Sequence, residues 1–202
     1  MIRRPPRSTR KESSAASDVY KRQGQVIIMT ESRIKIITGS DTGNTEQIAR
    51  DLYDLISPVH NVDVEIVKVH EIKPEDWTSH DFYILGAPTW FDGECSQDWN
   101  WYLEEFGGVD FTDKKVAIYG LGDQEGYPDY YCDAIGILAK VVLHNGGEIV
   151  GQTSIEGHEF NYSKGRQEDT DMFYGLAIDE ENQPHLTHER LDEWVKNISI
   201  NF

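Results

Sequence analysis

The chain has 202 residues, 38% of them hydrophobic, enough to bury one full core, and no apolar run approaches the ~20 residues that span a bilayer. Its 36 acidic and 19 basic residues give a net charge of −17, a field that repels nucleic acid and anionic membranes and attracts basic proteins. Cys95 and Cys132 lie far apart without Cys-x-x-Cys spacing, so free thiols in a reducing, cytoplasmic compartment are expected.

The charge is unevenly divided along the chain. Residues 1–24 hold seven Lys/Arg and two acids, leaving 12 basic and 34 acidic residues, a net of −22, in the remainder. That leading segment has no amphipathic period and no apolar stretch of the kind a secretory signal needs. It looks like translated sequencing-adapter read-through, so 1–24 is expected to be a non-native or disordered extension and 25–202 the folded domain, with Met29 a native start. The first strand is predicted at Ile34–Ile37. A helix is predicted at about Asn44–Ile56, stopped by Ser57-Pro58. Val62–Val67 alternates and reads as a strand nearer the sheet edge. Asp81–Ala87 is the third strand, ended by Pro88, and a helix follows at about Gln97–Phe106. Lys115–Gly120 is the fourth strand, and Asp129–Asn145 a long helix closed by Gly146-Gly147. Glu148–Gly151 starts a fifth strand, and Leu191–Ile198 gives the last helix, with Thr187 as N-cap and Glu189 in its first turn.

Strands alternating with helices predict a parallel sheet covered on both faces, with right-handed crossovers and a ligand site beyond the carboxyl ends of the strands. Three loops meet there: 38–45, 86–94 and 120–127. The first, Thr38-Gly39-Ser40-Asp41-Thr42-Gly43-Asn44-Thr45, runs from a strand into a helix start, where unpaired N–H groups and the helix dipole favour an anion. It has no Lys before Thr45, so it is not a nucleotide-triphosphate loop, and its glycine spacing is not the dinucleotide fingerprint. Two readings fit it: a phosphate cradle built from neutral donors, or a polar turn with Asp41 or Thr42 capping the helix. The second and third loops each place a large aromatic, Trp90 or Tyr127, among small and polar residues. A planar ring between them would gain dispersion and stacking; alternatively Trp90 packs on a neighbouring helix. Trp77, Trp99, Trp101 and Trp194 read as packing or surface residues.

Together, Ser40–Thr45, Pro88-Thr89-Trp90 and Leu121–Tyr127 resemble the three FMN-binding loops of flavodoxins, in the right order and each after a strand. The segment Thr153–Met172 resembles the loop that splits the fifth strand in long-chain members, and Gly175–Gln183 is similar to their C-terminal signature. The resemblance implies a flavodoxin-like three-layer α/β sandwich with a five-stranded parallel sheet, order 2-1-3-4-5, and a fifth strand split by an inserted loop. It implies that Ser40, Asp41, Thr42, Gly43, Asn44 and Thr45 hold the FMN phosphate. Pro88, Thr89, Trp90, Phe91, Asp92 and Gly93 would lie beside the ring, with the Phe91–Asp92 peptide near flavin N5. Leu121, Gly122 and Asp123 would face the pyrimidine side, and Trp90 and Tyr127 would flank the isoalloxazine.

The same resemblance implies a monomeric, low-potential one-electron carrier that shuttles between semiquinone and hydroquinone. Its expected partners are basic-faced redox proteins such as a flavodoxin reductase, met in weak, salt-sensitive encounters. A flavin-dependent quinone reductase of related fold is the alternative, and a flavin-free receiver-like module a second. The sequence offers no catalytic constellation or metal site. His185 and His188 flank a helix start, the other histidines are scattered over surface and loops, and Asp179-Glu180-Glu181 reads as a solvated turn.

Overall fold

The computed structural model describes residues 20–22, 25–27 and 32–202. The expectation for residues 1–24 therefore falls mostly outside the described residues; Tyr20–Arg22 pairs antiparallel with Gln25–Ile27. The second unit, Ser32–Phe202, carries the sheet and everything below.

The sheet is built from β1 (Ser32–Thr38), β2 (Val62–Lys68), β3 (Phe82–Trp90) and β4 (Lys115–Leu121), all parallel in the order β2-β1-β3-β4. The fifth position is shared. β5 (Glu148–Val150) pairs with Lys115–Ala117 of β4, and β6 (Leu176–Ile178) with Tyr119–Leu121. One strand position is thus interrupted by residues 151–175, and the order 2-1-3-4-5 holds. β1 is buried on both faces and reads as a nearly continuous apolar run, whereas edge strand β2 fully buries only Val64. Lys35, inside that run, is buried as well; it sits 3.1 Å from Glu65 and hydrogen-bonds Asp76.

Alternation of side chains along the strands separates two cores. Ile36, Ile84 and Ala117 pack with α1 (Asn44–Ile56) and α4 (Thr187–Ile198), while Ile37, Leu85 and Ile118 pack with α2 (Gln97–Phe106) and α3 (Asp133–His144). Helix α1 buries Thr45, Ile48, Ala49, Leu52 and Ile56, a single face at helical spacing. Each buried Ile or Leu there contributes roughly 1.5–3 kcal/mol.

Three boundaries differ from the sequence expectation. β3 does not stop at Pro88. Its pairing with β1 ends at Gly86, so Pro88 sits where one flank has no ladder to donate to, and the strand runs on to Trp90 beside Leu121 and the short strand Glu94–Cys95. α3 starts at Asp133 rather than Asp129, because Cys132 takes a left-handed conformation (φ 52°) that no helix continues. Thr187 opens α4 without capping it; its hydroxyl is turned instead to Glu180.

The insert, residues 151–175, docks on α3. Lys164 N–H donates to Asp133 Oδ1 at 2.7 Å, and its ammonium lies 2.8 Å from Asp133 Oδ2. His158, in a loop as expected, is half-buried. Its Nδ1 is 2.8 Å from the Tyr131 hydroxyl, and its ring packs against Tyr131 and Phe173. Burial, helped by the Arg190 charge, pushes its pKa down from 6.5 to about 4. The unfolded chain therefore binds the extra proton between those values. Stability supplied by this group is complete above about pH 6.5 and is lost as the pH falls through about 4, by roughly 2 kcal/mol after allowance for solvent screening. Urea midpoints measured from pH 7 to 4 should show this loss, and His158→Gln, which keeps a hydrogen-bonding group for Tyr131, should flatten it. An unchanged slope in that variant would place the acid sensitivity elsewhere.

Candidate functional site

The loop after β1 turns tightly because its glycines permit it. Gly39 N–H donates to the Gly86 carbonyl at 3.1 Å, and a Cβ on Gly39 would stand 2.7 Å from the Trp99 ring. Gly43, at φ 94°, occupies the cap position of α1, and no side chain caps the helix. Neither Asp41 nor Thr42 fills that role. Asp41 Oδ2 accepts instead from Gln97 N–H, 3.4 Å away at the start of α2, and Ser40 Oγ accepts from Gly43 N–H at 2.9 Å. The first-turn N–H groups of α1 are thus left open, at the end of the helix where the dipole favours an anion. Thr45 Oγ1 is buried there without a partner among the described residues. An unsatisfied buried hydroxyl costs about 1–3 kcal/mol, so this pocket is built for an acceptor such as a phosphate oxygen.

Next to this cradle lies a cavity of about 280 Å³ at the carboxyl ends of the strands. Thr42, Asn44 and Thr45 line it from the first loop, and Pro88, Thr89, Trp90 and Phe91 from the second. Leu121, Gly122, Asp123 and Tyr127 close it from the third. Trp90 and Tyr127 therefore face one space, and the Trp90 indole Nε1 is a second buried donor without a partner. Thr89 Oγ1 accepts from Ala134 N–H at 3.1 Å, which ties β3 to α3. Beyond Trp90 the chain turns, with Gly93 N–H donating to the Trp90 carbonyl at 3.1 Å. Phe91 within this turn has φ 44°, an unfavourable left-handed backbone for a bulky residue, and its side chain is 68% exposed. Gly93, at φ 88°, is pressed so close to the Asp133 carboxylate that a Cβ would overlap Oδ2.

The third loop is fastened by carboxylates. Asp123 Oδ1 accepts from Gly126 N–H (2.7 Å), Asn182 Nδ2 (2.9 Å) and Glu125 N–H (3.1 Å). Burial pushes its pKa upward, but these hydrogen bonds win and hold it below the usual range. The side chain of Asp123 thus shapes its own loop. Asp179 corrects the expectation of a solvated turn: it is fully buried and accepts from the N–H groups of Gln124, Glu181 and Asn182.

Glu180 and Glu181 also line the cavity, and the sequence reading did not assign them to the site. Their position just past β6, at the same sheet end as the other loops, was the available signal. Ser40 and Asp41 face an adjoining cleft rather than the cavity, Gly43 is the helix cap, and Asp92 and Gly93 belong to the turn behind Phe91. Among the described residues no Lys or Arg stands on the cavity wall, whose charged side chains are Asp123, Glu180 and Glu181.

This arrangement has counterparts. The flavodoxin family model matches residues 36–194. A flavodoxin of Klebsiella pneumoniae is 42% identical over 169 residues, 82% of this chain and 92% of that protein. Flavodoxin 1 of Escherichia coli (strain K12) is 42% identical over 167 residues, 81% of this chain and 91% of that protein. Among solved structures, the Fusobacterium nucleatum flavodoxin bound to flavin mononucleotide superposes with a TM-score of 0.78 at 30% identity, covering 84% of this chain and 98% of that one.

Proposed function

We propose, on the premise that this chain belongs to the flavodoxin family, that it is an electron carrier which holds FMN non-covalently and passes one electron at a time. The observation that carries this reading is the unpartnered Thr45 hydroxyl at the open start of α1, beside a cavity that also presents Trp90 and Tyr127. Bound there, the flavin would supply the redox chemistry.

The protein's part is to bind and to tune. Neutral donors (the first-turn N–H groups of α1 and the hydroxyls of Ser40, Thr42 and Thr45) would hold the phosphate without cancelling its charge. Trp90 and Tyr127 keep water from the ring and lower the local dielectric, which strengthens every charge–charge term in the site. Asp123, Glu180 and Glu181 then oppose any further negative charge, so full reduction is disfavoured and the fully reduced protein is a strong reductant. The Phe91–Asp92 peptide lies in the turn after Trp90, where its carbonyl would be available as a hydrogen-bond acceptor at the edge of the ring. Both effects favour single-electron steps. Dithionite titration of the FMN-loaded protein should resolve two one-electron stages, the second at clearly lower potential. A single two-electron stage would overturn this reading.

The donor and acceptors are read as basic-faced redox proteins, a flavodoxin reductase among them, that meet a monomer through its acidic surface. Cys95 and Cys132 are both free and buried, and burial pushes the Cys95 thiol up to about 12, in keeping with inert thiols in a cytoplasmic setting. The bimolecular rate with a basic haem protein as acceptor should fall several-fold between 50 and about 500 mM salt. A rate flat with salt would remove electrostatic steering from the account.

A further inference from the structure

We propose that the cleft between the phosphate loop and α2 docks an arginine side chain of the basic redox partner. This deepens, and rests on, the carrier reading above. The cleft, of about 710 Å³, adjoins the cofactor cavity and shares Trp90 and Phe91 with it. Trp101 and Phe91 stand on its wall, 69% and 68% exposed. Single exposed aromatics are ordinary on a protein surface. Two in one cleft at the edge of a redox site form a patch of the kind that marks an interaction surface.

Trp101 has no packing role to account for it. Helix α2 buries Trp99 and Phe106 on its inner face, and Trp101, about 200° further round the helix than Trp99, points outward. Among the described residues it has no aromatic neighbour, whereas Trp99 packs on Tyr102 and Phe106 and donates to the Gly86 carbonyl.

The charge of the cleft decides what fits. Asp41 and Glu94 are exposed on it, and among the described residues neither has a basic partner. Its lining contains no Lys or Arg. A cation is therefore favoured beside an indole face and two carboxylates that no basic side chain neutralises. A guanidinium is planar, weakly hydrated and forked, so it stacks on the indole while it hydrogen-bonds a carboxylate in two places. A lysine ammonium is compact and strongly hydrated, and gains only the point-charge attraction. Because Trp90 and Phe91 form a common wall, an arginine seated here brings the partner against the edge of the redox site.

The test uses FMN-loaded protein and two capped peptides, tri-arginine and tri-lysine, titrated calorimetrically and by the indole N–H resonance of Trp101. Tri-arginine should bind about fivefold to tenfold more tightly than tri-lysine and shift that resonance. In Trp101→Ala the ratio should fall to about one with the flavin absorbance unchanged, and Trp101→Phe should restore part of it. Equal affinities in the native protein, or a preference that survives Trp101→Ala, would overturn the proposal. A protein that retains no flavin fails the carrier reading, whereas one that holds flavin without preferring arginine fails this inference alone.

Discussion

Trp90→Ala should weaken FMN binding by about 30- to 100-fold and Tyr127→Ala by about 10-fold, with the double substitution falling short of their product of about 300- to 1,000-fold. Removing a stacked aromatic forfeits roughly 1.5–3 kcal/mol of burial and stacking, and each 1.4 kcal/mol is a factor of ten in affinity. The two differ because Tyr127 is 51% exposed, whereas Trp90 is better covered and has its indole N–H buried. The residues share one cavity, so their effects should not add exactly as independent sites would. Neither side chain belongs to the two packed cores, and the apoprotein's stability should change little. Quenching of free-flavin fluorescence on titration into apoprotein measures all of this. Unaltered affinity in Trp90→Ala would remove the ring from this cavity.

Gly136→Ala should lower the melting temperature by about 6–12 °C, the shift expected for roughly 3 kcal/mol in a domain of this size. Gly136 lies inside α3, where alanine would normally add about 1 kcal/mol of helix stability. The insert passes directly over it. A Cβ would overlap the Lys164 carbonyl and stand 2.9 Å from Gly165 N, and both obstacles are backbone that cannot swing away. The sign of the effect is therefore diagnostic: a stabilised variant would mean that the insert does not rest on α3 in solution. Displacing Lys164 also loosens Asp133, which packs against Gly93 in the turn behind Phe91. FMN affinity should consequently fall as well, although Gly136 is not on the cavity wall.

Much of this was legible because local signals and the final fold agree. α1 and α2 begin and end where the sequence places them, α1 being stopped at Ser57-Pro58. The parallel sheet followed from alternation of strands and helices, its order 2-1-3-4-5 from the family resemblance, and Trp90 and Tyr127 stood out because each breaks the pattern of its loop. The misplacements share a cause. Pro88 ends a strand only if its missing N–H is needed, and that depends on which neighbour still runs alongside. Asp41, a good capping residue, is drawn to the start of α2, 56 positions away in sequence, and Gly43 caps α1 instead. Asp179, in a run of acids that suggests solvent, is fully buried because three backbone N–H groups converge on it.

The sequence by itself determined the elements, their alternation along the chain and the three loops of the site, since periodicity and turn chemistry act over a few residues. Only the tertiary structure decided which polar groups are paired. It left Thr45 Oγ1 and the Trp90 indole buried without a partner among the described residues, buried Asp179 and Lys35, and set Glu180 and Glu181 on the cavity wall. The free energy of a charge or hydroxyl is fixed by neighbours brought in from distant parts of the chain.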